Sequence, residues 1–198
     1  SFGGGGAESV FITICNELAD RGLDVVIVVV KNKGELSRRI SGSITVRELG
    51  SKRTSYSIFS FWRFLNAYNP DTVLTFSIIP NLMACVCKIL AVNKYRLVLS
   101  ERAVFSQTMK NSNYLIRFTF PFFIKFLYRF SDCIIAVSAD VKADLLNHLP
   151  NLSTRISVIN NPILRCDKIE PSWFMKNFRG RPFIIAVGRL HMQKNFQR

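Results

Sequence analysis

The sequence predicts an α/β fold, a Rossmann-like doubly wound parallel sheet, and three observations predict it. The run Asp24-Val-Val-Ile-Val-Val-Val30 is continuously β-branched, with no polar alternation, which is how a strand buried on both faces reads. Between such runs lie segments whose apolar residues recur at helical spacing. The two patterns alternate along most of the 198 residues, as βα units do.

Each element can be justified in order. The chain opens on Gly3-Gly-Gly-Gly6, and Ala7, Val10, Phe11, Ile14, Cys15 and Leu18 then fall on one helical face. Gly22, behind Arg21, ends that helix. After the Asp24–Val30 strand come a short strand over Ser43–Leu49, a helix over Ile58–Tyr68 and a strand over Thr72–Phe76. A helix over Asn81–Leu90 leads to a strand over Arg96–Ser100. Pro121–Phe130 reads as a helix with proline in its first turn, where a missing N–H costs little. Cys133–Val137, Ala139–Asn147 and Ile156–Ile159 complete the pattern as strand, helix and strand. Residues 163–182 mix charges with Pro171, Gly180 and Pro182 and read as a linker. Phe183–Val187 is then a fresh buried strand, followed by Gly188-Arg189-Leu190. The expected organisation is a domain over 1–162, a linker over 163–182 and the start of a second domain over 183–198. In such a sheet the glycine loop follows a first strand, which is expected upstream of these residues.

Composition narrows the function. Hydrophobic residues make up 48% of the chain and charged ones 20%, in the range of a globular domain. The formal charge is +14, and residues 49–131 carry eleven Lys/Arg against two acids, Asp71 and Glu101. That surplus favours an anionic partner: nucleic acid, an anionic membrane surface or a phosphorylated ligand. No segment reads as a membrane span, since Thr72–Cys87 is interrupted by Pro80 and Asn81 and falls short of the ~20 residues required. Nor does the N-terminus carry a signal-peptide pattern. The five cysteines read as small buried hydrophobes of a reducing compartment. Cys85 and Cys87 lie two apart on a helix and point to different faces, which argues against a metal site.

The glycine run before a helix is a device for anion binding. Glycines let a ligand approach the backbone, and the helix N-terminus offers free N–H groups. A flexible tail or a tight turn is the alternative. The Gly-x4-Gly-Lys-Ser/Thr loop of nucleotide triphosphatases is absent. Lys31-Asn32-Lys33 follows Val30 where a dinucleotide fold places a ribose-binding acid, so NAD is disfavoured.

Three segments together resemble group 4 glycosyltransferases of the GT-B fold. Gly5-Gly6-Ala7-Glu8-Ser9-Val10 with Leu18-Ala19-Asp20-Arg21-Gly22 resembles their opening loop and helix. Ile134-Ile-Ala-Val-Ser138 with Val158-Ile-Asn-Asn-Pro162 resembles the last strand pair and crossover loop of their N-terminal domain. Ile185-Ala-Val-Gly-Arg-Leu190 with Gln193-Lys-Asn195 resembles the first strand and loop of their C-terminal domain. The order and spacing match from end to end, so the resemblance covers nearly the whole chain.

The resemblance implies transfer of a sugar from a nucleotide-sugar to a lipid-linked or polysaccharide acceptor in cell-surface glycan synthesis, with retention at the anomeric carbon. Arg189 and Lys194 match positions that hold the donor diphosphate, whose charge fixed cations stabilise as it leaves. Gly5 and Gly6 would face the reacting centre across the cleft. Ser138 and Asn161 fall in the matching cleft segments. Where some relatives carry a His near the acceptor, this chain has Ser100-Glu101-Arg102. Glu101 and Arg102 are therefore candidates for acceptor binding, with Glu101 also a candidate proton acceptor, and a solvated or structural ion pair is the alternative. No cofactor or metal is expected, since no Asp-x-Asp is present and His148 and His191 read as surface or loop residues. The family's two-glutamate motif is absent, so the chain is expected to be inactive alone. Nucleic acid is not an expected partner, although a non-catalytic basic module binding anionic lipid or nucleic acid is the competing class. The expected location is cytoplasmic, peripheral on the inner face of the plasma membrane.

One region keeps two readings open. Phe122, Phe123, Phe126, Leu127 and Phe130 form one stripe of the Pro121–Phe130 helix, with Lys125 and Arg129 on another. The stripe either covers the sheet or dips into an anionic membrane.

Overall fold

The computed structural model describes residues 2, 5–50, 54–110 and 114–163. The chain divides into two compact units, Ser1–Pro162 and Ile163–Arg198. The expected linker, the strand at Phe183–Val187, Arg189, Lys194 and His191 lie outside the described residues.

In the first unit helices and strands alternate: α1 (Gly6–Asp20), β1 (Val26–Val29), β2 (Thr45–Glu48), α2 (Thr54–Tyr68), β3 (Thr72–Phe76), α3 (Ile78–Ile89) and β4 (Arg96–Glu101). Then come α4 (Phe105–Lys110), α5 (Tyr114–Leu127), β5 (Cys133–Ala136), α6 (Ala139–His148) and β6 (Ile156–Val158). Short 3₁₀ turns occupy Glu35–Arg39, Tyr128–Phe130 and Pro150–Arg155. Every strand pair is parallel, so each connection has to cross back over the sheet, and the intervening helices do this. The α/β, Rossmann-like architecture is thus as the sequence predicts.

The strands pair as two sheets, β1-β2 and β3-β4-β5-β6. Side chains join them. The Phe11 ring of α1 meets Phe76 of β3 edge-on at 4.8 Å, and Tyr68 donates to Asp24 Oδ2 at 2.8 Å. Each sheet has its own core. Phe2, Ile12, Cys15, Ile27, Val29 and Ile44 pack behind the small sheet. Leu97, Leu99 and Ile134 are fully buried in the larger one, against Ala84 and Cys85 of α3 and Ile124 of α5. Burial pushes the Cys15, Cys85 and Cys87 thiols up to about 12, so they stay protonated hydrophobes.

Local chemistry sets the element ends. Gly22 adopts φ +84°, and the Gly22 and Leu23 N–H groups return to Ala19 and Leu18 carbonyls at 2.9 and 3.1 Å, closing α1 as glycine alone does without strain. Several elements differ from the sequence reading, α2 among them, which starts at Thr54 and not Ile58. Helix α3 starts at Ile78, with Pro80 inside its first turn, where its missing N–H is an orphan in any case. Helix α4 was not expected; it is too short for a periodic signal. Helix α5 begins at Tyr114, so Pro121 sits in its interior rather than at its first turn. Tertiary packing on both sides of Pro121 carries the helix through a residue that removes one backbone hydrogen bond.

Candidate functional site at the carboxyl edge of the strands

In parallel α/β sheets ligands bind outside the carboxyl ends of the strands, where strand order reverses. Here the strands form two all-parallel sheets, β1-β2 and β3-β4-β5-β6, so within each sheet the carboxyl ends share one edge. Helix α1 leads down into β1, so its N-terminus lies at this edge. The last residues of β3 and β4 and the loop after β6 lie there too.

A line of contacts runs along the edge. Phe11 packs on Phe76. The Arg102 guanidinium lies over the Phe76 ring, 5.0 Å from its centroid. Arg102 also donates to Asn161 Oδ1, and weakly to Ser100 Oγ at 3.4 Å. Two of the expected cleft residues, Arg102 and Asn161, are thereby brought together across strands β4 to β6. Burial lowers the Arg102 pKa, a mark of a cation stripped of part of its water. Such a cation gains more than a solvated one from an anionic ligand. No carboxylate pairs with it among the described residues.

Gly5 caps α1 in extended conformation (φ −80°, ψ 159°), and Gly6 is its first residue. A Cβ on Gly6 meets open space, so the backbone is approachable there. A Cβ on Gly5 collides with the Glu8 carboxylate, which folds back over the helix start. The helix dipole favours that carboxylate, and an anion approaching through Gly5 has to displace it.

Glu101 is turned inward instead of forming a pair with Arg102. It is 2% exposed and accepts hydrogen bonds from Asn81 Nδ2 at 2.8 Å and from the Tyr128 hydroxyl. Asn81 in turn accepts from Thr75 Oγ1 at 2.6 Å. Burial raises the Glu101 carboxyl above its ordinary range, and the Tyr128 and Asn81 bonds pull it partly back. Burial and the adjacent Glu101 raise Tyr128 as well. The cluster ties α3, β4 and the end of α5 together under the edge. Ser138 is the N-cap of α6, its Oγ accepting from the Val141 N–H at 3.3 Å. Its hydroxyl is engaged in ending a helix correctly.

Sequence reasoning missed Ser77, which holds φ +78° between β3 and α3, with its N–H on the Ser100 carbonyl at 3.1 Å. A non-glycine residue there is strained, and such strain gathers at functional edges. Nothing in the sequence marks it. Asn81 did leave a signal: a lone amide in a helix whose residues are otherwise apolar up to Lys88. His148 is not a free surface residue. Its ring packs edge-on to Phe105 at 4.9 Å, and Nε2 lies 3.1 Å from Ser106 Oγ. Ser106 also donates through its hydroxyl and its N–H to Asp144. A nucleophilic triad needs the carboxylate on the imidazole, whereas here it holds the serine, so the cluster fastens α4 to α6. Among the described residues no group of three or more His, Cys, Asp or Glu is placed to hold a metal ion.

Comparison with known proteins gives this edge a context. The sequence profile of Glycosyltransferase Family 4 matches residues 4–163. No curated protein matches. Among solved structures, the apo form of a lipopolysaccharide outer core galactosyltransferase, WaaB, superposes with a TM-score of 0.58 at 15% identity, over 82% of this chain and 44% of that one. A glycosyltransferase from Rickettsia africae superposes with a TM-score of 0.58 at 20% identity, over 81% of this chain and 40% of that one. The chain thus spans less than half the length of either.

Proposed function

Given that this chain belongs to Glycosyltransferase Family 4, we propose that it forms the acceptor side of an enzyme moving a sugar from a nucleotide-sugar to a glycan. The acceptor is a lipid-linked sugar or a polysaccharide of the cell surface. Transfer retains the anomeric configuration. The bond from the anomeric carbon to the diphosphate breaks, a bond to an acceptor hydroxyl oxygen forms, and the hydroxyl proton is released. Arg189 and Lys194 hold the departing diphosphate, without a metal or cofactor. The Gly5-Gly6 turn lets the reacting groups approach the start of α1.

The observation that carries this reading is Arg102, a half-buried cation braced between Phe76 and Asn161 at the carboxyl edge. A planar guanidinium in that setting can donate to sugar hydroxyls and to phosphate oxygens alike. Glu101 acts through position, fixing the end of β4 from below. The test is calorimetric titration of the chain with lipid-linked and polysaccharide glycan fragments. Saturable binding that Arg102→Ala weakens by about tenfold or more supports the reading. Binding unaffected by Arg102→Ala, or none with any glycan offered, overturns it.

A further inference from the structure

Helix α5 carries two apolar faces, and one of them has no partner among the described residues. Ile124, Leu127 and the adjoining Tyr128 are buried and hold the helix to the core. Tyr114, Phe118, Phe122 and Phe126 recur every fourth residue on the outside, exposed by 78, 64, 71 and 44%. Phe123 lies beside them, 49% exposed. The sequence stripe of phenylalanines therefore faces away from the sheet. Exposing this much aromatic surface is costly, and a contiguous apolar patch marks a contact surface.

Charge identifies what the surface meets. Arg117, Lys125 and Arg129 are exposed along the same helix and its 3₁₀ extension. From Arg102 to Ser131 there are five Lys/Arg and no acid. Arg129 stacks on Phe126, with its guanidinium 4.3 Å from the ring centroid. Phe122, Lys125, Phe126 and Arg129 form one wall of a groove of about 350 Å³, and Pro150 and Leu152 lie on the other. The groove has apolar walls and two cations at its rim. It lies where the chain enters β5 and β6, at the opposite end of the strands from Arg102.

We infer that the outer face of α5 docks on an anionic lipid bilayer, with Phe118 and Phe122 entering the interface and Lys125 and Arg129 seating a lipid phosphate in the groove. Aromatic burial and attraction of cations to anionic headgroups add, as in interfacial helices. No helix of the described residues is long and apolar enough to cross a membrane, so the contact is with the surface. A protein held there keeps its carboxyl edge free. The inference uses no step of the sugar-transfer reading, and its test requires no turnover.

The test is co-sedimentation of the full chain with vesicles of phosphatidylcholine alone and of phosphatidylcholine mixed with phosphatidylglycerol. Strong binding to the anionic vesicles only is expected. The exposed pair Phe118→Ser with Phe122→Ser should weaken it about tenfold or more with the fold intact by circular dichroism. Lys125→Glu with Arg129→Glu should weaken it comparably, and the residual binding should lose its preference for anionic lipid. Three results overturn the inference: equal binding to both vesicles, binding that neither pair weakens, or a lipid-free dimer that the phenylalanine pair dissociates.

Discussion

Single residues beneath the carboxyl edge decide how rigidly it is held. Glu101 has its carboxyl raised by burial, so the folded protein binds that proton more tightly than the unfolded chain does. Its contribution is therefore most favourable at acid pH and is lost as pH rises through its elevated pKa. Glu101→Gln keeps an acceptor for Asn81 and Tyr128 but removes the charge. The variant should match the wild type in acid and exceed it in thermal stability toward neutral pH, as melting curves across that range would show. A constant difference at every pH would mean that the carboxyl is not the titrating group. Tyr95 offers a second case. Its hydroxyl is buried with no hydrogen-bond partner among the described residues, so Tyr95→Phe should be neutral or stabilising by up to ~1 kcal/mol in urea unfolding. Ser138→Ala removes the cap of α6 and should cost about 1 kcal/mol in the same measurement. These roles were only partly visible beforehand. Asn161 fell in a segment that resembles the family, Arg102 stood where the chain departs from it, and the structure joins the two. Glu101 was equally visible, but its inward rotamer depends on Asn81 and Tyr128, which lie 20 and 27 positions from it in sequence, a separation no local pattern encodes.

At the scale of elements, the strands were the most legible part. Thr72–Phe76 lies where its β-branched and aromatic residues, set off by Asn69-Pro70-Asp71, predict a strand. Helix ends were less legible, and proline is the reason in two cases. Pro80 sits in the first turn of α3, where its missing N–H costs little, so the helix starts ahead of it; at Pro121 local chemistry argues for a boundary, while packing extends the helix through it. Pro121→Ala restores a backbone donor in the middle of α5 and should raise stability, by up to ~3 kcal/mol if packing is otherwise unchanged. A fall in melting temperature would instead show that the ring itself is needed for packing. The facing of α5 could not be read from periodicity. Its inner and outer stripes are both apolar, and the burial of Ile124 and Leu127 tells which face is held.

For the molecule as a whole, the parallel sheets and the carboxyl-edge line Phe11, Phe76, Arg102 and Asn161 form the frame on which sugar transfer is proposed. The outer face of α5 then gives that frame an orientation on a surface. Hydrogen exchange of the chain, with and without a lipid-linked or polysaccharide glycan fragment, tests the central claim most directly. Backbone protection at the start of α1, at Ser100–Arg102 and around Asn161 is the predicted result. Protection confined to other segments, with these unchanged under every glycan that binds, would contradict it.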